Sequence, residues 1–327
     1  MERTKRLLVL PDKHNSWEAV QTFNPGAIVL DDKVHLIYRA IGTDGISRFG
    51  YIESEDGLSI SYKHPTPVYE RKFLKRYYWS PSGGGFGGCE DPRIVRVDDE
   101  DVIYMTYTAF GELRVGFTSI SVEDFRRKRW NWKPETLISP PNEVHKNFVI
   151  FPQKIKNKYA ILHSLSPTIQ ITYRDSLEFS EGEYISSTYV PGRVIGGWEY
   201  TVKSVGPPPI ESKDGWLIFY HGLDKNEPWK YKIGAALLDK KHPEKIISAS
   251  PYPVIEPTKV YELNGYKPGI VYTCGAVVKD RRLFVYYGGA DNYICVAHAD
   301  FSRFLRELKR GGTPKLEKAT VDGKHAV

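Results

Sequence analysis

The densest chemistry in the chain lies in Gly87-Gly88-Cys89-Glu90-Asp91-Pro92-Arg93-Ile94. Residues 90–93 hold two carboxylates and a guanidinium. A carboxyl group can deliver a proton to a leaving oxygen, and a neighbouring cation can hold an anion. The adjoining glycines let backbone approach a ligand closely. Asp91 is therefore the best single candidate for a catalytic acid. The same residues also read as a turn at Asp91-Pro92, with Arg93 pairing Glu90 at the surface. Which reading holds depends on what the rest of the chain brings alongside.

The elements that would position these residues are strands. Helical periodicity is nearly absent, and apolar runs punctuated by Gly, Pro, Asn and Asp dominate. Five runs resemble one another, at residues 34–40, 103–109, 159–164, 216–222 and 283–289. Each follows an apolar stretch and a charged turn, such as Asp31-Asp32, Asp98-Asp99 or Asp280-Arg281. The period is roughly 55 to 70 residues, suited to four-stranded blades with extra loops. The expectation is an all-β chain, a five-bladed β-propeller over residues 1–310 as one domain. A two-sheet β-sandwich with accidental hairpin similarity is the alternative.

A propeller gathers function where the inner strands end. The polar residues expected to converge there are Asn24, Arg39, Asp91, Arg93, Asn147, His163, Lys203, His221 and Asp291. The segment 69–88 carries Tyr77-Tyr78-Trp79 and a glycine cluster, and reads as a mobile lid with an aromatic platform. Its glycines lack the following helix and Lys of a phosphate-binding P-loop. Gly206-Pro207-Pro208-Pro209 reads as a rigid entry to the fourth blade. Phe301, Phe304, Leu305 and Leu308 fall at helical spacing, with Asp300 or Ser302 as cap. Gly311-Gly312 ends that short helix, and residues 311–327 are expected to form a disordered tail.

The net charge of +6 is compatible with an anionic ligand, and no dense basic stripe argues for nucleic acid. The three cysteines, Cys89, Cys274 and Cys295, fit neither a zinc pattern nor a paired disulfide framework. A reducing, cytoplasmic setting follows. The apolar run Leu7-Leu8-Val9-Leu10 is too short for a signal peptide, and no stretch could span a membrane. Aromatic edges and the closing helix would allow a homo-oligomer without demanding one.

Several segments, taken in order, resemble one family. They are Phe23-Asn24-Pro25-Gly26-Ala27, Tyr38-Arg39-Ala40, Gly88-Cys89-Glu90-Asp91-Pro92-Arg93, Phe151-Pro152-Gln153-Lys154, Gly206-Pro207-Pro208-Pro209-Ile210, Tyr220-His221-Gly222 and Gly288-Gly289-Ala290-Asp291. This set is similar to glycoside hydrolase family 130, the β-mannoside phosphorylases and related β-mannosidases. The resemblance implies a five-bladed propeller and an inverting reaction without metal or organic cofactor. Inorganic phosphate, as co-substrate, would attack the anomeric carbon of a β-mannosyl unit and release mannose 1-phosphate. Asp91 matches the family's catalytic acid, which passes its proton through a sugar hydroxyl. Arg39, Arg48, Lys203 and His221 match basic positions and would hold phosphate. Asn24, Arg93, Asn147, His163 and Asp291 would contact the sugar.

Two places depart from the family pattern. Phosphorylases often carry an Arg just after the third-blade strand, where this chain reads His163-Ser164-Leu165, and sometimes another where it has Gln153. A thinned phosphate site would suit an inverting β-mannosidase using water, which needs a carboxylate base such as Glu199 or Glu90. A propeller that only binds glycans is the remaining reading. A propeller glycosidase of the arabinanase kind fits less well, because the first blade offers Asn24 where those enzymes use a carboxylate.

Overall fold

Alternate side chains point to opposite faces of a strand, so a strand buried on both faces serves two cores. The strand Gly215–Asp224 does this: Leu217 and Phe219 enter one apolar cluster, while Trp216, Ile218 and Tyr220 enter another. That pattern organises the whole chain. The structure is a computed structural model, and it describes residues 9–72 and 83–319.

Twenty strands fall into five antiparallel units in chain order. The first holds β1 (Gln21–Leu30), β2 (Lys33–Ile41), β3 (Ile46–Ser54) and β4 (Tyr62–Lys63). The second holds β5 (Gly87–Arg96), β6 (Val102–Phe110), β7 (Arg114–Ser121) and β8 (Thr136–Leu137). The third is β9 (Val149–Ile150), β10 (Tyr159–Ser164) and β11 (Gln170–Arg174). The fourth is β12 (Glu199–Val205), β13 (Ile210–Ser212), β14 (Gly215–Asp224), β15 (Tyr231–Leu238) and β16 (Ile246–Ala249). The fifth is β17 (Val271–Lys279), β18 (Arg282–Gly289), β19 (Tyr293–Asp300) and β20 (Glu317–Lys318). A short parallel pairing, Ile46 with Gly87 and Ser47 with Gly88, merges the first two units into one sheet. The chain is thus mostly β, with three short helices, α1 (Val122–Arg126), α2 (Val260–Leu263) and α3 (Phe301–Lys309).

The hairpins are set by their turns. Asp31-Asp32, Asp98-Asp99, Lys156-Asn157 and Asp280-Arg281 all carry positive φ at both central residues. That is the turn whose twist matches two antiparallel strands, and Asp and Asn tolerate it best.

Each apolar cluster is shared by two units. One joins the first and second units (Phe49, Met105), one the second and third (Val95, Ile161), and one the third and fourth (Leu162, Ile218). A fourth cluster joins the fourth and fifth units (Phe219, Val285), and the last returns from the fifth to the first (Tyr286, Leu36). The first strands of the first, second and fifth units meet where glycine allows it. A Cβ on Gly26 would lie 2.5 Å from the Pro92 carbonyl oxygen, and one on Gly275 would lie 2.6 Å from that of Pro25.

Helix α3 is capped by Asp300, whose carboxylate accepts the Arg303 N–H at 2.7 Å, and it buries Phe304, Leu305 and Leu308. The tail expected to be disordered from 311 is ordered in its first part. Glu317–Lys318 pairs with β19, and the Lys318 ammonium donates to buried Glu262 at 2.7 Å, an apolar and ionic anchor that composition alone did not reveal. Residues 320–327 lie outside the described residues. The three cysteines are buried and free. No helix among the described residues is long and apolar enough to cross a membrane.

Candidate active site

Asp91-Pro92 is not a surface turn. It lies inside β5, at a point where the register against β6 slips between Glu90 and Arg93. Similar slips occur in β1 between Phe23 and Gly26, in β12 between Val202 and Ser204, and in β17 between Thr273 and Gly275. A bulge re-aims the side chain it carries and tolerates a proline that cannot join the ladder. Asn24 and Asp91, each followed by proline, sit at φ 47° and 56°, and Asn147 just before β9 sits at 65°. Asn and Asp are the side chains that best accept this left-handed geometry.

The consequence is a cavity of about 400 Å³ to which several units contribute. Asn24, Arg39, Asp91, Asn147, His163, Lys203 and Asp291 line it, so seven of the residues anticipated from sequence come together. The aromatic platform expected at residues 77–79 lies outside the described residues. Gly83, at the end of that segment, lines the cavity beside Arg39.

Charges in the cavity are tightly ordered. The Arg39 guanidinium is buried and donates to Glu90 at 3.0 Å, Asp91 at 3.4 Å and Ser47 Oγ at 2.9 Å. Lys146 donates to the other oxygen of Glu90 at 3.0 Å. Asn24 Nδ2 donates to Asp91 Oδ1 at 2.9 Å. Burial pushes the Asp91 carboxyl up, but Arg39, Arg93, the Asn24 N–H and Lys146 outweigh it and hold the group below the ordinary carboxylate range. Asp291 goes the other way. Burial raises its carboxyl despite Lys267 at 3.1 Å and the more distant Arg39. Two polar atoms of cavity residues are buried without a partner: Asn24 Oδ1, which lies against Gly288, and His163 Nδ1.

Three anticipated site residues do not reach the cavity. Arg48 turns away to Asp44 at 2.7 Å and Glu70 at 3.0 Å, because alternation along β3 puts it on the face opposite Ser47, which meets Arg39. Arg93 is buried behind the wall. It donates to the Gly206 carbonyl at 2.8 Å, the Asp91 carbonyl at 2.7 Å and Asn147 Oδ1 at 2.8 Å. It therefore fixes the backbone of Asp91 and the side chain of Asn147 rather than touching a ligand. His221 is fully buried as well. Its Nε2 accepts the Thr273 N–H at 3.0 Å, so Nδ1 carries the hydrogen and faces Ser204 Oγ at 3.0 Å. Burial, then Arg93, lowers this imidazole to about 3, so it is neutral and has no nitrogen left for phosphate. Its ring stacks on Tyr272 at 3.8 Å, and Tyr272 in turn donates to Asn147 Oδ1 at 2.9 Å.

The carboxylate considered as a water-activating base is also accounted for. Glu199 accepts the backbone N–H groups of Ile195 and Gly196 with Oε1, its Oε2 is buried without a partner, and it does not line the cavity. Glu90 lines it, but both of its oxygens are taken by Arg39 and Lys146. Sequence reasoning missed His145, Lys146, Tyr272 and Lys267 as cavity residues. One signal was present: His145-Lys146-Asn147 stands before the third unit's first strand as Cys89-Glu90-Asp91 stands within the second's.

The chain belongs to glycoside hydrolase family 130. The family model described as β-1,4-mannooligosaccharide phosphorylase matches residues 5–310. A 1,2-β-oligomannan phosphorylase of Thermoanaerobacter sp. is 36% identical over 91% of this chain and 97% of its own length. A β-1,2-mannobiose phosphorylase of the same organism is 33% identical over 89% and 93%. A solved structure from work on family 130 hydrolases that target β-1,2 linkages in Candida mannan is 23% identical over 90% and 92%, with a TM-score of 0.71, and shares the fold.

Proposed function

We propose that this chain is an inverting β-mannoside phosphorylase built on a five-bladed β-propeller, acting on β-1,2-linked mannosides. The propeller is supported by five antiparallel units whose shared cores run in a ring from the first to the fifth and back. The β-1,2 preference is supported by the printed activities of the Thermoanaerobacter relatives.

The observation that carries phosphorolysis is the charge pattern of the cavity. Four cations line it: Arg39, Lys146, Lys203 and Lys267. Lys203 makes no ion pair among the described residues, and its ammonium lies 5.9 Å from the Tyr189 ring centre. All three lining carboxylates are ion-paired: Glu90 with Arg39 and Lys146, Asp91 with Arg39, and Asp291 with Lys267. No unengaged lining carboxylate remains as a base for water, and Asp91, which matches the family's acid, is the proton source. A phosphate dianion needs no base, only cations that hold and aim it.

In the reaction, a phosphate oxygen bonds to the anomeric carbon from the face opposite the glycosidic oxygen. The glycosidic C–O bond breaks, and the leaving oxygen takes the proton that originates at Asp91. The free site holds Asp91 ionised. A dianion placed beside its cations offsets their pull on the carboxyl, so the proton is available when both substrates are bound. Arg93, held by the rigid Gly206 carbonyl, keeps Asp91 in its bulge. The test is turnover of β-1,2-mannobiose with and without inorganic phosphate. Turnover that depends on phosphate supports the reading, and equal release of free mannose in its absence would replace it with hydrolysis.

A further inference from the structure

Gln21 opens β1 and is buried, with 1% of its surface exposed. Its Nε2 donates to the carbonyl of Gly83 at 2.9 Å and to the carbonyl of Asp291. An amide nitrogen has two hydrogens, so both are spent on backbone. A flipped amide would set Oε1 against two carbonyl oxygens, so only this orientation fits. Oε1 instead lies buried and unpartnered against Gly84, where a Cβ would strike it. An unpaired buried oxygen costs stability. What this side chain supplies in return is the pair of contacts made by its nitrogen.

Both contacted residues, Gly83 and Asp291, line the cavity. On one side, a Cβ at Gly83 would lie 3.0 Å from Arg39 Nη1, so the glycine backbone rests on that guanidinium. On the other, Ala290 and Asp291 form the β18–β19 turn, each with φ 51°. Alanine resists that geometry, which persists where the surroundings hold it. Ala290 N–H donates to the Ile270 carbonyl at 2.8 Å, and Gln21 holds the Asp291 carbonyl. The Asp291 carboxylate has little else to fix it. Among the described residues its one partner is Lys267 at 3.1 Å, and that side chain is 46% exposed. A pair with so exposed a lysine orders a side chain weakly, so the backbone decides where the carboxylate stands. Arg39, Glu90 and Asp91 hold one another without Gln21.

We infer that Gln21 is a positioning residue for the sugar site: its amide ties the Asp291 turn to the Gly83 backbone and so fixes the Asp291 carboxylate relative to the Arg39–Asp91 wall. A mannosyl unit entering between them meets an acceptor already in place, and binding does not have to order it. Gln21 does not line the cavity, so it acts through Asp291 rather than on the substrate. This rests on the reading that the cavity takes a mannoside, and it holds whether phosphate or water attacks.

The test is a double-mutant cycle on the full chain: wild type, Gln21→Met, Asp291→Asn and the double variant, assayed on β-1,2-mannobiose with melting curves alongside. Met keeps the length of the side chain and removes both N–H donors. Gln21→Met should raise the mannoside KM about tenfold, the worth of one buried hydrogen bond, with kcat and the phosphate KM within about twofold. On the Asp291→Asn background the same change should raise it less than about threefold, because the carboxylate it positions is gone. A lower melting temperature with unchanged KM would make Gln21 structural only and overturn the inference. So would an equal increment on both backgrounds, or a matching rise in the phosphate KM. Gly84→Ala presses on Oε1 from the other segment and keeps the inference testable if Gln21→Met does not fold: it should show the same KM split, and an unchanged mannoside KM would overturn the role. Turnover that ignores phosphate would overturn the phosphorylase reading and leave the mannoside KM comparison in force. Absence of turnover in wild type would remove both.

Discussion

Replacing Asp91 by Asn separates chemistry from structure better than any other single change. Asn fits the same left-handed backbone, φ 56°, that Asp occupies. It keeps an acceptor for Asn24 Nδ2 and for Arg39, and Arg39 retains Glu90 at 3.0 Å. What disappears is the acidic proton and one negative charge between Arg39 and Arg93. The structural loss is that of weakened charge-assisted hydrogen bonds, about 1–3 kcal/mol. The chemical loss is larger: a positioned acid contributes about 10²–10⁴ in rate, or roughly 3–5 kcal/mol of barrier. The assay is phosphorolysis of β-1,2-mannobiose at saturating phosphate, with thermal melts alongside. Expected are a folded variant melting a few degrees lower and a kcat reduced at least a hundredfold. The melts carry their own signature. Asp91 is held below its unfolded-state range, so it stabilises the fold above that range, and the benefit is lost as pH falls through the folded value. The stability gap between wild type and variant should therefore be full at pH 7 and close on acidification. A folded variant with kcat within tenfold of wild type would refute the assignment of Asp91 as the proton source.

Three further outcomes follow from the same geometry. Glu199→Gln should lower the melting temperature, because a charged acceptor of two backbone N–H groups is weakened, while kcat stays within a few-fold; a loss of turnover with normal stability would reinstate Glu199 as a base. Asp291→Asn should have the opposite stability profile to Asp91→Asn. Its carboxyl is raised by burial, so ionisation costs folding free energy once pH exceeds the folded value, and the variant should melt higher than wild type at pH 7 and equal to it near pH 3. Sugar affinity should fall in the same variant, and a lower melt at pH 7 would contradict the burial argument. Arg93→Lys should cost about 3 kcal/mol, since a point ammonium cannot serve the Gly206 and Asp91 carbonyls and Asn147 together; a variant as stable as wild type, read by denaturant melts, would contradict that role.

The strands were legible because β-branched and aromatic residues alternate, and the charged turn pairs mark where they reverse. Burial on both faces was legible too, in runs such as Leu217-Ile218-Phe219-Tyr220 that carry no polar break. Asp91, Asn24 and Asn147 were found because Asn and Asp stand at the ends of apolar stretches. The bulges that aim them were not legible. A register slip is a relation between two strands, and one strand's sequence cannot state it. The same limit explains Arg93 and His221. Each has the right chemistry for a ligand, but one is consumed by carbonyls of distant segments and the other by a backbone N–H of the fifth unit. Arg48 failed for a simpler reason: next to Ser47 in β3 it points to the opposite face and pairs with Asp44 and Glu70. Lys146 and Lys267 were overlooked because they lie in loops, where single lysines are common and usually solvated.

The central claim is that phosphate, aimed by the cavity's cations, is the nucleophile on a β-mannosyl carbon protonated by way of Asp91. The most direct measurement is phosphorus NMR of the product formed from β-1,2-mannobiose and inorganic phosphate. Formation of α-mannose 1-phosphate in step with mannobiose consumption is the predicted result. Free mannose with the phosphate signal unchanged, or a β-configured phosphate ester, would contradict the account.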